Sequence, residues 1–206
     1  MTHATFRIGA DGWCENVERL PSPNRDPRPA DAMVDLLIIH NISLPPCQFG
    51  EGYIAALFTN QLDCDAHPYF DQLRDLRVSA HFLIRRDGAI IQFVSTLDRA
   101  WHAGASRFGN REKCNDFSIG IELEGSDFEP FEPAQYASLA SLTAALQAAH
   151  PLRHVAGHED VAPGRKTDPG PFFDWTRYQK LLNAPTGSTH IATRAPHTLL
   201  GFPPKK

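Results

Sequence analysis

The chain predicts a single α/β domain of the α+β type, with a central mixed β-sheet flanked by helices, and three observations predict it. Its 206 residues, 42% hydrophobic and 21% charged, are enough for one compact core. Strand-like and helix-like stretches alternate through the middle of the chain instead of segregating. Both ends are polar and rich in turn residues, so the core has to come from what lies between them.

Residues 1–33 carry Pro21, Pro23, Pro27 and Pro29, which fix φ and lack a backbone donor; this stretch is expected as an extended arm packed on the domain. From Val34 to Ile39 the sequence is almost continuously apolar and rich in branched side chains, as in a central strand covered on both faces, and it runs into His40. A short helix is expected over 53–62. Segments 79–86 and 89–95 flank Asp87 and Gly88, the strongest two-residue hairpin signal, and should pair antiparallel. In 117–124, Ile119, Ile121 and Leu123 alternate with Gly120, Glu122 and Glu124, so both acids project from one face of a strand. Pro133 suits the first turn of a helix over 134–149, where Leu139, Leu142 and Leu146 form one stripe before Pro151. A last helix fits 175–182. The domain is therefore expected over 34–183, with 184–206 as a flexible tail and no internal repeat.

A net charge of −4 and a pI near 6.2 provide no diffuse positive field, which argues against nucleic acid and membrane surfaces as partners. A charged substrate would have to be recognised locally. Cys14, Cys47, Cys64 and Cys114 form no CxxC pair, and the first residues lack the basic start and apolar run of a signal peptide. No stretch is apolar enough to span a bilayer. The expectation is a cytoplasmic protein with reduced thiols.

The densest polar cluster is 157–171, whose glycines and prolines read as a stiff loop presenting side chains, although a plain surface turn would have the same composition. His40 at a strand end, His158 at the loop entrance and Asp168 near its exit are donors of the kind zinc accepts, three protein ligands leaving one position for water. Spacing alone does not separate His40 from a buried structural histidine. His3, His67, His150, His190 and His197 are read as core or surface residues.

Several ordered strings carry a family resemblance. Residues 38–46 run Ile-Ile-His-Asn-Ile-Ser-Leu-Pro-Pro, and 78–88 run Val-Ser-Ala-His-Phe-Leu-Ile-Arg-Arg-Asp-Gly. Residues 100–104 run Ala-Trp-His-Ala-Gly, 114–125 run Cys-Asn-Asp-Phe-Ser-Ile-Gly-Ile-Glu-Leu-Glu-Gly, and the loop closes on Asp-Pro-Gly-Pro at 168–171. Over about residues 13–182 the chain resembles the AmpD-type 1,6-anhydro-N-acetylmuramoyl-L-alanine amidases of the amidase_2 group, relatives of peptidoglycan recognition proteins and phage zinc lysozymes.

The resemblance implies a monomeric, cytoplasmic hydrolase of small muropeptides in cell-wall recycling, with one Zn²⁺ per chain held by His40, His158 and Asp168. It gives catalytic roles to Glu122 and Lys166, and substrate contacts to Asn41, Arg77, Trp101, His102, Lys113 and Asp116. Amide hydrolysis needs an activated water, stabilisation of an oxyanion and a proton for the leaving amine, which one metal and two side chains can provide. Only the resemblance selects Glu122 over Glu124. Two details stand out against the wider group: Ala80 precedes His81, where phage and recognition-protein amidases often carry tyrosine, and Lys113 replaces an expected arginine, keeping the charge without the bidentate fork. His81 is read as structural. Three other readings follow the same residues: a non-catalytic peptidoglycan-binding module, an amidase acting on intact murein, and a metalloprotease without sugar specificity.

Overall fold

A computed structural model describes residues 6–183. Its strands are β1 (Glu18–Arg19), β2 (Arg25–Pro27), β3 (Leu36–Ile42), β4 (Phe82–Ile84), β5 (Ile90–Gln92), β6 (Asp98–Ala100), β7 (Arg107–Phe108), β8 (Arg111–Glu112), β9 (Ser118–Glu124) and β10 (His154–Gly157). Its α-helices are α1 (Tyr53–Phe58), α2 (Pro133–Ala149), α3 (His158–Val161) and α4 (Trp175–Leu182).

Six strands form the main sheet in the order β1-β5-β4-β9-β3-β10. β9 lies at its centre, parallel to both β3 and β4, while the antiparallel β4–β5 pair makes the sheet mixed. The apolar run predicted as a central strand is one: Leu36 to Ile39 are fully buried, and all seven residues of β9 are buried. Such burial on both faces requires cover on both. On one side Leu139, Leu142 and Leu146 of α2 and Tyr178 of α4 pack on Leu37, Ile39, Ile119 and Ile121. On the other, Leu36, Ile38 and Ala156 meet Phe117 and Val161, and Leu83 and Ile91 meet Phe58 and Phe70. His40 and Glu122 are register partners across β3 and β9, so they rise on the same side, opposite α2. There they interrupt the apolar cover.

α2 and α4 begin and end where the sequence placed them. α2 is opened by Pro133, and the Glu132 N–H donates to the Gln135 side chain at 3.0 Å. Other elements differ from expectation. α1 stops at Phe58, where the Thr59 hydroxyl donates to the Ala55 carbonyl and Asn60 turns to a φ of 59°. The loop between β4 and β5 is not a two-residue turn. Arg85 N–H donates to Ala89 C=O and Gly88 N–H to Arg85 C=O, and Gly88 alone has positive φ, so the loop spans three residues, 86–88. The polar stretch expected as a loop from Gly157 begins with the one-turn helix α3, because Asp160 accepts from the Gly157 N–H at 2.7 Å and neither glycine nor proline occurs from His158 to Ala162. The proline-rich arm is extended but also pairs: β1 runs parallel to β5 and β2 antiparallel to β6. The stretch expected as a C-terminal tail, with His190 and His197, lies outside the described residues, as does His3.

Candidate metal centre

The register of three parallel strands brings the distant ligand candidates together. Gly157 of β10 is paired with Ile39 of β3, so the next residue of each, His158 and His40, emerge side by side. Asp168 returns to them on the following loop, whose carbonyl at Asp168 accepts from the Glu159 N–H at 2.8 Å. Close approach of that loop needs a glycine, since a Cβ on Gly157 would lie 2.8 Å from Cδ of Pro169.

The result is a triangle. His40 Nδ1 is 3.0 Å from His158 Nδ1 and 2.9 Å from Asp168 Oδ2, and His158 Nδ1 is 3.0 Å from the same oxygen. Nε2 of His158 lies 3.1 Å from the Ala103 carbonyl, which can only accept, so a ring that keeps its proton there can offer Nδ1 to a cation. Burial lowers the pKa of His40 to about 4, against the pull of Asp168. Burial also works to raise Asp168, but hydrogen bonds from His158 and His40 hold it well below the usual carboxylate range. One carboxylate oxygen and two imidazole nitrogens thus converge, and a cation among them would take the place of the protons they share. Their separations approach the edge of a tetrahedron, about 3.3 Å for metal bonds of about 2.0 Å. The residues fit a divalent metal ion, and no other such set of histidine, cysteine and acidic groups occurs among the described residues.

Glu122 is 8% exposed, and its Oε2 is buried with no hydrogen-bond partner. Burial raises its pKa well above the ordinary value, the negative charge of Asp168 adds to this, and Lys166 opposes it. Glu124 differs: Oε1 accepts from Gly50 N–H at 2.7 Å and Oε2 from Arg86 N–H at 3.1 Å. Both of its oxygens are engaged in holding loops.

A cleft of about 530 Å³ opens over the triangle, lined by Glu122, Lys166, Asn41, Arg77 and Trp101 as well as the three candidate ligands. The Asn41 amide donates to Asp127 at 2.7 Å and to the Pro169 carbonyl at 3.1 Å. Arg77 is exposed and donates to the carbonyls of Arg74 and Leu76. Lys113 lines an adjoining groove with Arg107 and Arg165. Asp116 is drawn to Arg99, at 2.6 Å. His102 reaches the cleft wall but is buried, with Nδ1 on His40 and Nε2 near Ser118. Ser118 and Gly120, which stand behind it, carried no functional signal in the sequence: on an alternating strand they read only as small residues of the polar face.

Residues 30–171 match the Amidase_2 family, described as N-acetylmuramoyl-L-alanine amidase. Over 177 residues the chain is 54% identical to the 1,6-anhydro-N-acetylmuramyl-L-alanine amidase AmpD of Escherichia coli K12, covering 85% of this chain and 97% of that protein. Among solved structures, the crystal structure of a selenomethionine AmpD derivative superposes with a TM-score of 0.82 at 54% identity, covering 84% of this chain and 97% of that one. The amidase AmiD of E. coli, solved in complex with the substrate anhydro-N-acetylmuramic acid-L-Ala-D-gamma-Glu-L-Lys, gives a TM-score of 0.54 at 30% identity, covering 75% of this chain and 60% of that one.

Proposed function

Since the chain belongs to the Amidase_2 family of N-acetylmuramoyl-L-alanine amidases, we propose that it hydrolyses the amide between 1,6-anhydro-N-acetylmuramic acid and L-alanine in small peptidoglycan fragments, with one zinc ion held by His40, His158 and Asp168. The anhydro form of the sugar is supported by the names of relatives that match over nearly their whole length. The observation that carries the reading is the convergence of His40 Nδ1, His158 Nδ1 and Asp168 Oδ2 in a cleft beside a buried, unpartnered carboxylate.

Two imidazole nitrogens and one carboxylate oxygen suit zinc, and three protein ligands are the usual complement of its catalytic sites. Bound there, the ion supplies Lewis acidity, polarising a carbonyl and acidifying water. The remaining work falls to the chain. Glu122 takes a proton from the attacking water and delivers it to the alanine nitrogen, so that the C–N bond breaks and the peptide leaves as a neutral amine. A carboxyl whose proton affinity is raised by burial suits the delivery step. Lys166 faces the negative charge that develops on the carbonyl oxygen. Asn41, Arg77 and Trp101 contact the substrate across the cleft, and Lys113 offers its ammonium to a stem-peptide carboxylate in the adjoining groove. A reducing, cytoplasmic setting belongs to the same reading and rests on the wide spacing of the four cysteines. No helix of the described residues is long and apolar enough to cross a membrane.

Mass spectrometry of digests tests this directly. Anhydromuramoyl-tripeptide should yield free tripeptide, muramoyl-tripeptide and whole sacculi less, and a chelator should abolish the reaction until zinc is restored. Absence of tripeptide from every substrate, or turnover indifferent to the chelator, would overturn the reading.

A further inference from the structure

Behind the ligand triangle runs a chain of hydrogen bonds whose direction is fixed at its far end. Ser118 Oγ lies 2.6 Å from the Cys114 carbonyl, and since the carbonyl has no proton to give, the hydroxyl donates. Its oxygen then presents only lone pairs to His102 Nε2, 3.3 Å away, so that nitrogen carries the ring proton. A neutral imidazole protonated there has a bare Nδ1, and this atom lies 2.9 Å from His40 Nε2. His40 is therefore held with a proton on Nε2, so that Nδ1, the atom turned toward His158 and Asp168, is the one that can exchange a proton for a metal ion. The next residue, Ala103, does the same for His158 through its carbonyl.

The strand makes room for this arrangement. A Cβ on Gly120 would stand 2.5 Å from both Cγ and Nδ1 of His102, so the imidazole occupies the space of a missing side chain. From there it meets the His40 ring edge-on, with centroids 5.1 Å apart and planes at 90°.

We propose that His102, backed by Ser118 and seated on Gly120, is a positioning residue that fixes the tautomer and orientation of His40 for metal binding, and is not a substrate contact. This rests on the metal-site reading above. Partners of this kind behind a ligating histidine typically account for a 10–100-fold change in metal affinity.

Two measurements decide it. In the zinc-loaded wild-type protein, ¹⁵N imidazole NMR should show both His40 and His102 protonated on Nε2; a His102 protonated on Nδ1 overturns the proposal, whether or not the chain proves to be an amidase. In competition with a chromophoric chelator, His102→Leu should bind zinc about 10–100-fold more weakly than wild type. His102→Asn, whose amide oxygen can replace the Nδ1 acceptor, should recover most of that loss. Gly120→Ala, which crowds the ring out, should weaken zinc in the same direction. At saturating zinc these variants should keep the wild-type KM. A raised KM with wild-type zinc affinity would make His102 a substrate contact and refute the proposal. A wild-type protein that binds zinc but cleaves no muropeptide would instead defeat the function and leave the tautomer result standing.

Discussion

Glu122 and Glu124 project from the same face of one strand, and only their partners distinguish them. Alternation of side chains put both on the polar face of β9 and could go no further. The groups that engage Glu124, the amides of Gly50 and Arg86, lie 74 and 38 residues away in the chain, beyond any local pattern. The two acids should accordingly fail in different ways when altered. Glu122→Gln should lower kcat about 10²–10⁴-fold, the usual contribution of a general acid–base, with zinc content and KM little changed. Glu124→Ala leaves two backbone amides without their acceptor and should cost about 1–3 kcal/mol for each one left buried and unsatisfied, read as a lower urea midpoint, while folded molecules turn over normally. The opposite pattern would exchange the two roles. Lys166→Ala should lower kcat about 10²–10³-fold, the range for loss of one oxyanion partner. The ligands themselves show the same limit of legibility. His40 closes an apolar run and is plain in the sequence, but whether it binds metal or merely fills the core depends on His158 and Asp168, and the sequence brought these together only through family resemblance.

Elements whose signal is local were readable, and those fixed by what packs on them were not. β3, β9, α2 and α4 each carry their periodicity or apolar run within a single stretch of chain. β1 and β2 are two and three residues long with largely exposed side chains, and exist because the arm finds the edges of β5 and β6. The β4–β5 loop shows the point at one residue. Asp87 and Gly88 mark a hairpin correctly, but the extra loop residue follows from α2, which receives Gly88 from below: the Ser138 hydroxyl donates to the Gly88 carbonyl at 2.7 Å. An alanine at 88 would have to hold a φ of +85° and place its Cβ 2.9 Å from the Ala134 carbonyl oxygen. Left-handed backbone alone costs an L-residue about 1–2 kcal/mol. Gly88→Ala should therefore destabilise by at least that much in urea titrations. Leu139→Ala, on the apolar stripe of the same helix, should cost about 2–5 kcal/mol. Neither side chain lines the cleft, so kcat per folded molecule should be unchanged; a neutral Gly88→Ala would show that the loop does not need its left-handed residue.

At the scale of the whole molecule, the unreadable quantity was strand order. Nothing in the alternation of strands and helices says that β9 inserts between β3 and β4, yet that insertion places Glu122 beside His40. It also buries a column of histidines around the sheet. His81 accepts from the Gly120 N–H at 3.0 Å and is wholly buried, and His150, partly buried, bonds to Thr96. Burial holds the pKa of each below the ordinary histidine value, and the guanidinium of Arg28, brought in by the proline-rich arm, adds to the effect. Arg28 itself is pushed down to about 10, chiefly by its own burial, and donates to the carbonyls of Asn115, Asp116 and Ser118. The sign of the pH dependence follows. Once unfolded, each histidine takes up a proton near pH 6.5 that the folded chain refuses, so the unfolded state binds more protons and stability rises with pH. The full stability is present above about pH 6.5 and falls below it by up to about 1.4 kcal/mol per pH unit for each such histidine. Urea midpoints of the chelator-treated protein should therefore drop between about pH 6.5 and 5. In His81→Asn the amide oxygen can still accept from Gly120 while the titrating group is gone, so its midpoint should fall less steeply by the share of one histidine. An equal slope in the two proteins would mean that His81 is already charged in the folded chain, and that the buried column does not resist acid.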